Sequence, residues 1–207
     1  MNLTFSILSN GPDPALHEVL QIGAAFFDDH FIEKESQFGA FVRCEEPERS
    51  DKMYLQAAGF DSVDHLKNRR PNHEPFEQVW NHFQDWCLRH SPYDSFSEFC
   101  SEVSWAGHRL QEDLWFLTET CRRRLQDEPF TMRDIRSMCD LSSTACMYES
   151  IGRYLGKGRY IGRDLASIAD FFGVPLSDRH DPTARAIAIG QVYHTHLKKQ
   201  KELYEKI

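Results

Sequence analysis

Apolar and polar residues alternate along the first part of the chain, and this alternation predicts β-strands. The first strand is predicted at 3–8, and a run of turn-forming residues at 9–14 ends it. A longer apolar run at 19–27 predicts a second strand whose middle is buried on both faces. A third strand is predicted at 31–42. Three consecutive strands with short connections predict an antiparallel meander.

Apolar residues recur at helical spacing further along the chain. A helix that packs on the core is predicted at 75–88 because five apolar side chains share one stripe. These side chains are Phe76, Val79, Trp80, Phe83 and Cys87. A short strand at 102–107 leads into a helix at 110–125. A strand followed by a helix indicates that the strand joins the sheet in a parallel orientation.

The remaining segments complete an α/β pattern. Residues 44–72 are predicted to be rich in loops, and 130–141 to contain the end of a strand and a turn. Further helices are predicted at 144–155, at 165–172 and from 181 toward 206. We therefore predict a central mixed β-sheet flanked by helices.

The composition indicates one compact core. Of the 207 residues, 41% are hydrophobic and 13% are aromatic, which suits a single domain spanning 1–207. The apolar runs are too short to cross a bilayer, and the N-terminus lacks the layout of a secretion signal. The six cysteines include no C-x-x-C pair, which favours reduced, mostly buried thiols. The sequence thus predicts a cytoplasmic protein without membrane contact.

The net charge of −8 arises in the first third of the chain. Residues 1–64 contain 12 acidic and 4 basic side chains, whereas residues 65–207 contain 20 of each. An acidic chain is poorly suited to coat DNA, because such binding depends on Lys and Arg at the phosphates. The asymmetry favours a protein partner with a basic surface, or only good solubility.

Three blocks of the sequence resemble the motifs of one enzyme superfamily. Residues 5–14 and 19–27 are similar to the first motif of DnaQ-like (DEDDh) 3′-5′ exonucleases, where a strand with Asp-x-Glu and a turn precede an Ile-Gly-Ala strand. Residues 105–113 resemble the second motif, and 180–186 resemble the third. The segment 133–136 resembles Arg-Asp-x-Arg of the phage DexA-type members. The resemblance implies the ribonuclease H-like fold of these enzymes.

The same resemblance implies a metal site whose acids are mostly replaced. Members of the superfamily hold two divalent metal ions with four carboxylates, and a histidine activates the attacking water. By position, the Asp and Glu of the first motif fall on Ser6 and Leu8, and the last Asp falls on Arg185. The Asp of the second motif is kept as Asp113, and the histidine of the third is kept as His180. These five residues form the predicted vestigial site, in which no catalytic set is intact.

The replacements change the chemistry that the cleft can perform. Ser6 is a weak neutral ligand, Leu8 cannot coordinate a metal, and Arg185 brings a permanent cation. We therefore expect no metal or other cofactor, and a pair between Asp113 and Arg185 in its place. Each residue also has a purely structural alternative. Asp113 would stabilise the helix dipole, His180 would flank a helix without a further role, and Arg185 would be solvated.

An active site rebuilt from neighbouring acids is the alternative, with Mg²⁺ or Mn²⁺ as its cofactor. Five acidic side chains flank the relevant positions: Asp13, Glu18, Glu112, Asp178 and Asp181. On a helix, however, Glu112 points about 100° away from Asp113, so both cannot easily face one metal ion.

Basic residues mark candidate contacts to nucleic acid. Arg109 follows the predicted strand at 102–107, and a flexible basic loop contains Lys157, Arg159 and Arg163. These four side chains would contact phosphates, with Tyr160 available to stack on a base. Residues 122–124 form a second basic cluster. Solvated surface is the alternative for both clusters.

Together these features predict an exonuclease-fold protein that has lost catalysis and acts as a binding or regulatory module. The expected partner is a protein of a nucleic-acid-handling machine, and the DexA-type resemblance makes a phage-encoded effector a reasonable source. A metal-dependent 3′-5′ exonuclease with a rearranged site and a non-cleaving single-strand binder are the alternatives. A homodimer is also compatible with the sequence.

Overall fold

The computed structural model describes residues 1–69, 73–126, 135–156 and 160–205. Its centre is a five-stranded sheet of order β3-β2-β1-β4-β5. The strands are β1 (Asn2–Ser9), β2 (Val19–Phe27), β3 (Glu33–Phe41), β4 (Ser104–Gly107) and β5 (Ser137–Asp140). The first three strands pair antiparallel, whereas β4 is parallel to β1 and β5 is parallel to β4. The predicted meander and the predicted parallel addition are both confirmed.

Eight α-helices surround this sheet in the described part of the chain. They are α1 (Lys52–Ala57), α2 (Val63–Arg69), α3 (Phe76–Arg89), α4 (Phe96–Glu102), α5 (Leu110–Leu125), α6 (Leu141–Tyr154), α7 (Leu165–Phe172) and α8 (Pro182–Tyr204). The loop prediction for 44–72 is wrong in part, because α1 and α2 form there. The predicted helix at 144–155 starts three residues too late. Helix α6 begins at Leu141 because Asp140 caps it by accepting a hydrogen bond from Ser142 N at 2.8 Å.

Some sequence predictions fall outside the described residues. Arg133 and Asp134, which carry half of the Arg-Asp-x-Arg resemblance, lie there. Lys157 and Arg159 of the predicted basic loop lie there as well.

The sheet separates two cores of different character. The core under α3, α4 and α5 is aromatic, and the ring of Phe5 lies 5.7 Å from that of Phe83 and 5.4 Å from that of Trp105. The core on the opposite face packs mostly aliphatic residues of α6, α7 and α8 against the sheet, together with Phe172 and Tyr193. Every residue of β2 is buried because helices cover both of its faces. This double coverage explains its unbroken apolar run.

Helix α8 lies directly on the sheet. A Cβ atom at Gly190 would overlap the ring of Phe27, and one at Gly23 would overlap the backbone of Pro182. Glycine on both the helix and the strand therefore permits an approach that a side chain would block. This approach sets the position of the first turn of α8 above β1 and β2.

All six cysteines are free thiols, and four of them are buried. Burial raises the pKa of the Cys87 thiol well above its ordinary value, which keeps it protonated and unreactive. None of the helices in the described ranges combines the length and apolar composition needed to cross a bilayer.

The close approach of α8 gives a stability test. We expect Gly190→Ala to lower the free energy of unfolding by about 2 kcal/mol, because the added methyl group overpacks against Phe27. Urea denaturation followed by circular dichroism measures the change. Helix propensity alone favours alanine over glycine by about 1 kcal/mol, so a stabilised variant would contradict this packing.

Candidate functional site

A cleft opens where the carboxyl ends of β1 and β4 meet the start of α5. Parallel neighbouring strands end at the same edge of a sheet, so the residues that follow them converge there. The cleft encloses a cavity of about 460 Å³. It is lined by Ile7, Leu8, Ser9, Pro12, Tyr54, Ala57, His108, Arg109, Glu112, Asp113, Phe116, Arg163, Asp164 and Arg185. Arginine, aspartate, glutamate and histidine side chains therefore share one concave surface.

Arg185 and Ser6 meet in this cleft. Ser6 is buried in β1, and Arg185 belongs to the first turn of α8. The Arg185 Nε donates a hydrogen bond to Ser6 Oγ at 3.0 Å. Asp181 holds the start of α8 in place by accepting a hydrogen bond from Ala184 N at 2.9 Å. The contact between Arg185 and Ser6 fixes a guanidinium group deep in the cleft.

Asp113 lies beside this guanidinium group in the first turn of α5. Its Oδ2 accepts a hydrogen bond from the backbone N–H of Ile7 at 3.4 Å. Burial raises the pKa of Asp113 from 3.8 to about 8, and the positive charge of Arg185 opposes that rise only in part. Burial also lowers the pKa of Arg185. Asp113 is therefore largely protonated at neutral pH.

Asp113 and Arg185 both lie in the described part of the chain, and they do not form the expected ion pair. The two groups interact electrostatically across the cavity, but the hydrogen bond of Arg185 goes to Ser6. Desolvation explains this arrangement, because a buried carboxyl that lacks a close charge partner keeps its proton. The prediction of a direct pair is thus wrong, although the two residues do share the cleft.

The donor set of the cleft does not fit two divalent metal ions. Leu8 lines the cavity with an aliphatic side chain, and Arg185 adds a cation beside Asp113. Hard cations such as Mg²⁺ require several anionic or carbonyl oxygens. Among the described residues, no group of three or more His, Cys, Asp or Glu side chains is arranged to hold a metal ion.

The acids proposed as replacement ligands are engaged elsewhere. Glu112 lines the cavity but is exposed and forms an ion pair with Arg109 at 3.2 Å. Glu18 accepts hydrogen bonds from Glu45 N and Glu46 N and forms an ion pair with Arg124. Asp13, Asp178 and Asp181 each accept a hydrogen bond from a nearby backbone N–H.

His180 does not line the cleft. It is half-buried in the segment before α8, where its Nδ1 donates to the carbonyl of Ala57 at 3.1 Å. Its Nε2 accepts a hydrogen bond from Arg179 Nε at 3.0 Å. Both ring nitrogens are therefore occupied. The structure brings Ser6, Leu8, Asp113 and Arg185 together and leaves His180 outside.

Sequence reasoning missed other residues of the cleft. His108 directly follows β4, and its Nε2 donates to the carbonyl of Arg163 at 2.6 Å. Burial lowers the pKa of His108, so the ring is neutral at physiological pH. Asp164 caps α7 at the rim of the same cavity. The position of His108 at the end of a predicted parallel strand could have indicated that it lies in the cleft. No local sequence pattern indicated that Asp164 lies there.

The basic residues separate into two groups. Arg109 and Arg163 line the cavity, and Arg163 also forms an ion pair with Glu149 at 2.6 Å. The cluster at 122–124 instead serves the fold. Its three side chains bind Glu119, the backbone carbonyls of the 15–17 turn and Glu18. That cluster is therefore a poor candidate for contacts to phosphates.

The raised pKa of Asp113 predicts a pH-dependent stability. The folded state keeps the proton up to about pH 8, while the unfolded state releases it near 3.8, so this group lowers stability as pH rises between these values. We expect the free energy of unfolding of Asp113→Asn, relative to the wild type, to increase by about 3.5 kcal/mol from pH 5 to pH 8.

Urea titrations at several pH values measure this difference. The control is Glu112→Gln, which removes an exposed carboxylate next to Asp113. For the control, we expect a change of less than about 0.5 kcal/mol over the same range. Parallel curves for Asp113→Asn and the wild type would contradict a protonated Asp113.

Comparison with solved structures identifies the fold, whereas no family model and no curated protein matches the sequence. The nuclease domain of 3′hExo, a DEDDh family member bound to rAMP, aligns with a TM-score of 0.63 and 16% identity over 95% of this chain and 91% of that one.

Two other nucleases align over most of this chain. Cell-death related nuclease 4 (CRN-4) aligns with a TM-score of 0.67 and 13% identity over 95% of this chain and 63% of its own. Escherichia coli Exonuclease I in complex with a dA16 oligonucleotide aligns with a TM-score of 0.68 and 16% identity. That alignment covers 99% of this chain but only 42% of the enzyme. At these identities the likeness shows the architecture alone. The chain therefore has the DnaQ-like, ribonuclease H-like exonuclease fold.

Proposed function

We propose that this chain is a non-hydrolytic protein of the exonuclease fold that acts by binding. One observation carries the proposal. The guanidinium group of Arg185 is hydrogen-bonded to Ser6 Oγ beside Asp113, in the cleft where the resemblance places the metal-binding acids. Arg185 thus supplies a fixed positive charge at the place where a nuclease of this fold would bind its metal ions.

Electrostatics supports the loss of catalysis. Two adjacent divalent cations need an anionic lining to offset their mutual repulsion and their desolvation. At the four corresponding positions this chain offers a hydroxyl, an aliphatic group, a guanidinium group and Asp113. The raised pKa of Asp113 shows that even this carboxyl is largely neutral. A divalent cation would meet one protonated acid and a competing cation.

The surface near α1 and α2 supports a protein partner with a basic face. Five acidic side chains are exposed in this region: Glu45, Glu48, Asp51, Asp61 and Asp64. Three basic side chains, Arg49, Lys52 and Lys67, are exposed there as well, and Lys67 forms an ion pair with Glu48 at 2.7 Å. The five acids outnumber these three bases, so the region keeps an acidic excess. An acidic surface steers a basic partner and repels nucleic acid. We place that partner in a nucleic-acid-handling machine, and the DexA-type resemblance suits a phage-encoded effector.

A non-cleaving single-strand nucleic-acid binder is the second candidate. The cleft itself favours it, because Arg109, Arg163 and Arg185 line one cavity together with Tyr54. Guanidinium groups bind phosphates in a planar, two-pronged geometry, and an aromatic ring can stack on a base. This candidate uses the cleft, whereas the protein partner uses the acidic surface.

One assay separates these functions. Purified protein is incubated with labelled single-stranded DNA and RNA in the presence of Mn²⁺, and degradation and retention are both measured. We expect neither degradation nor retention. Degradation that Asp113→Ala abolishes would show a rebuilt nuclease and refute the proposal. Retention that falls steeply with salt and is lost in Arg185→Gln would replace the protein partner with the cleft binder.

Restoring the acids tests the identity of the site. We expect the triple variant Ser6→Asp, Leu8→Glu and Arg185→Asp to bind Mn²⁺ because four carboxylates then line the cleft. Isothermal titration calorimetry measures the affinity, and Mn²⁺ at 100 times Kd should stabilise the variant by about 2.7 kcal/mol.

The matched control carries amides at the same positions, as Ser6→Asn, Leu8→Gln and Arg185→Asn. It has nearly the same shape as the acidic variant but lacks its charge, so it should not bind Mn²⁺. Wild-type protein that binds Mn²⁺ as tightly as the acidic variant would overturn the proposal. A folded acidic variant without metal affinity would show that the cleft is assigned to the wrong residues.

A further inference from the structure

Helix α6 presents an outward stripe that has no charged side chain. The stripe is opposite the face that packs against the rest of the protein through Leu141 and Ala145. Six exposed residues form it: Ser143, Cys146, Met147, Ser150, Ile151 and Tyr154. The apolar members are substantially accessible, with 49% exposure for Ile151 and 89% for Tyr154. We call this surface the α6 stripe.

The absence of charge distinguishes the α6 stripe from the exposed faces of the other long helices. Helix α3 exposes Glu77 and Asp85, and α5 exposes Glu112 and Arg122. On α6, the charged residue nearest the stripe is Arg153, which lies at its edge. The net charge of −8 makes two copies repel each other overall, which favours contact through a face without charges. The six residues of the α6 stripe therefore bring no like charges of their own into contact when two copies meet on it.

The order of side chains along the stripe is complementary to itself in the antiparallel direction. If two α6 helices cross between positions 148 and 149, each small residue faces a large one. Ser143 then faces Tyr154 of the second copy, Cys146 faces Ile151, and Ser150 faces Met147. Interdigitation of large and small residues lets two helices pack closely. An isologous interface requires this kind of symmetry, because each copy contributes the same surface.

We propose that two copies of this chain associate through the α6 stripe, antiparallel and about a two-fold axis between Met147 and Ser150. Burial of Ser150 leaves no unsatisfied hydroxyl, because its Oγ already donates to the Cys146 carbonyl at 2.9 Å. The two Arg153 residues would lie about 13 Å apart along the helix axis. That spacing exceeds the Debye length of about 8 Å at physiological ionic strength, so their repulsion is screened.

The size of the contact sets its strength. One pair of crossing helices buries less surface than a standard interface, and we expect a total below about 1,200 Å², the range of weak encounters. We therefore expect a reversible dimer with a Kd of about 1 to 100 μM. This proposal depends on the α6 stripe alone and does not rest on the loss of catalysis.

Sedimentation velocity tests the proposal on the full chain. We expect wild-type protein to shift from monomer to dimer between about 1 and 200 μM. Ile151→Glu places an acid on the α6 stripe and should raise Kd at least about tenfold, through desolvation and like-charge repulsion. The control is Met53→Glu, at a residue of α1 that is 72% exposed, and it should dimerise as the wild type does.

Cross-linking tests the antiparallel register. At a helix spacing of 8–10 Å, the two Cα atoms of position 150 are about 6 Å apart in this arrangement, within the range of a disulfide bond. In a Cys146→Ser background, Ser150→Cys should therefore form a covalent dimer on mild oxidation. Ser97→Cys, on the exposed side of α4, is the matched control and should stay monomeric.

Three outcomes would overturn the proposal. Wild-type protein that stays monomeric at about 200 μM lacks the interface. A dimer that persists unchanged in Ile151→Glu uses another surface. Equal cross-linking at positions 97 and 150 reflects collision and not a defined register.

Discussion

The contact between α8 and the sheet is the constraint on which the cleft depends. Glycine at Gly23 and Gly190 lets the helix approach β1 and β2 more closely than any side chain would allow. This approach delivers the first turn of α8 to the middle of β1, where Arg185 reaches Ser6. A wider separation would remove the guanidinium group from the cleft. The chemistry of the site therefore depends on backbone packing several residues away from it.

Charge repulsion inside the cleft is limited by the residues that line it. Clustered carboxylates repel one another unless cations lie between them. Of the four positions that the motifs compare, only Asp113 is an acid here, and burial keeps it largely protonated. Arg185 retains its charge because Ser6 Oγ accepts one of its hydrogen bonds and the cavity admits solvent to the rest of the group. The two cores, which lie on either face of the sheet, are built mostly from side chains outside the cleft, so the fold does not require metal-binding acids there.

Local patterns in the sequence predicted the long elements well. The bounds of β2, α5 and α7 agree with the structure because apolar spacing and clear stop signals define their ends. Helix α4 was missed because it is only seven residues long, too short for an apolar repeat. Its N-terminal signal was present, since Ser95 Oγ accepts a hydrogen bond from Glu98 N at 3.2 Å.

The site was less predictable than the fold. The motif order identified Ser6, Asp113 and Arg185, which come from three distant segments and meet in the cleft. The partner of Arg185 was not predictable, because the choice between Ser6 and Asp113 depends on desolvation that no local pattern encodes. His180 was misplaced for a related reason: a motif fixes its position in the chain but not the direction of its side chain. The hydrogen bond between His108 and the Arg163 carbonyl joins residues 55 positions apart, so no local sequence pattern could predict it.

The bond between Arg185 and Ser6 also constrains how such a protein can evolve. If Ser6 alone became acidic, the guanidinium group would gain a carboxylate partner at close range and hold its place more firmly. If Arg185 alone became acidic, it would add a second buried carboxyl next to Asp113 and destabilise the fold. Neither single step leads toward a metal site. A site with four carboxylates at these positions therefore requires coupled changes at Ser6 and Arg185.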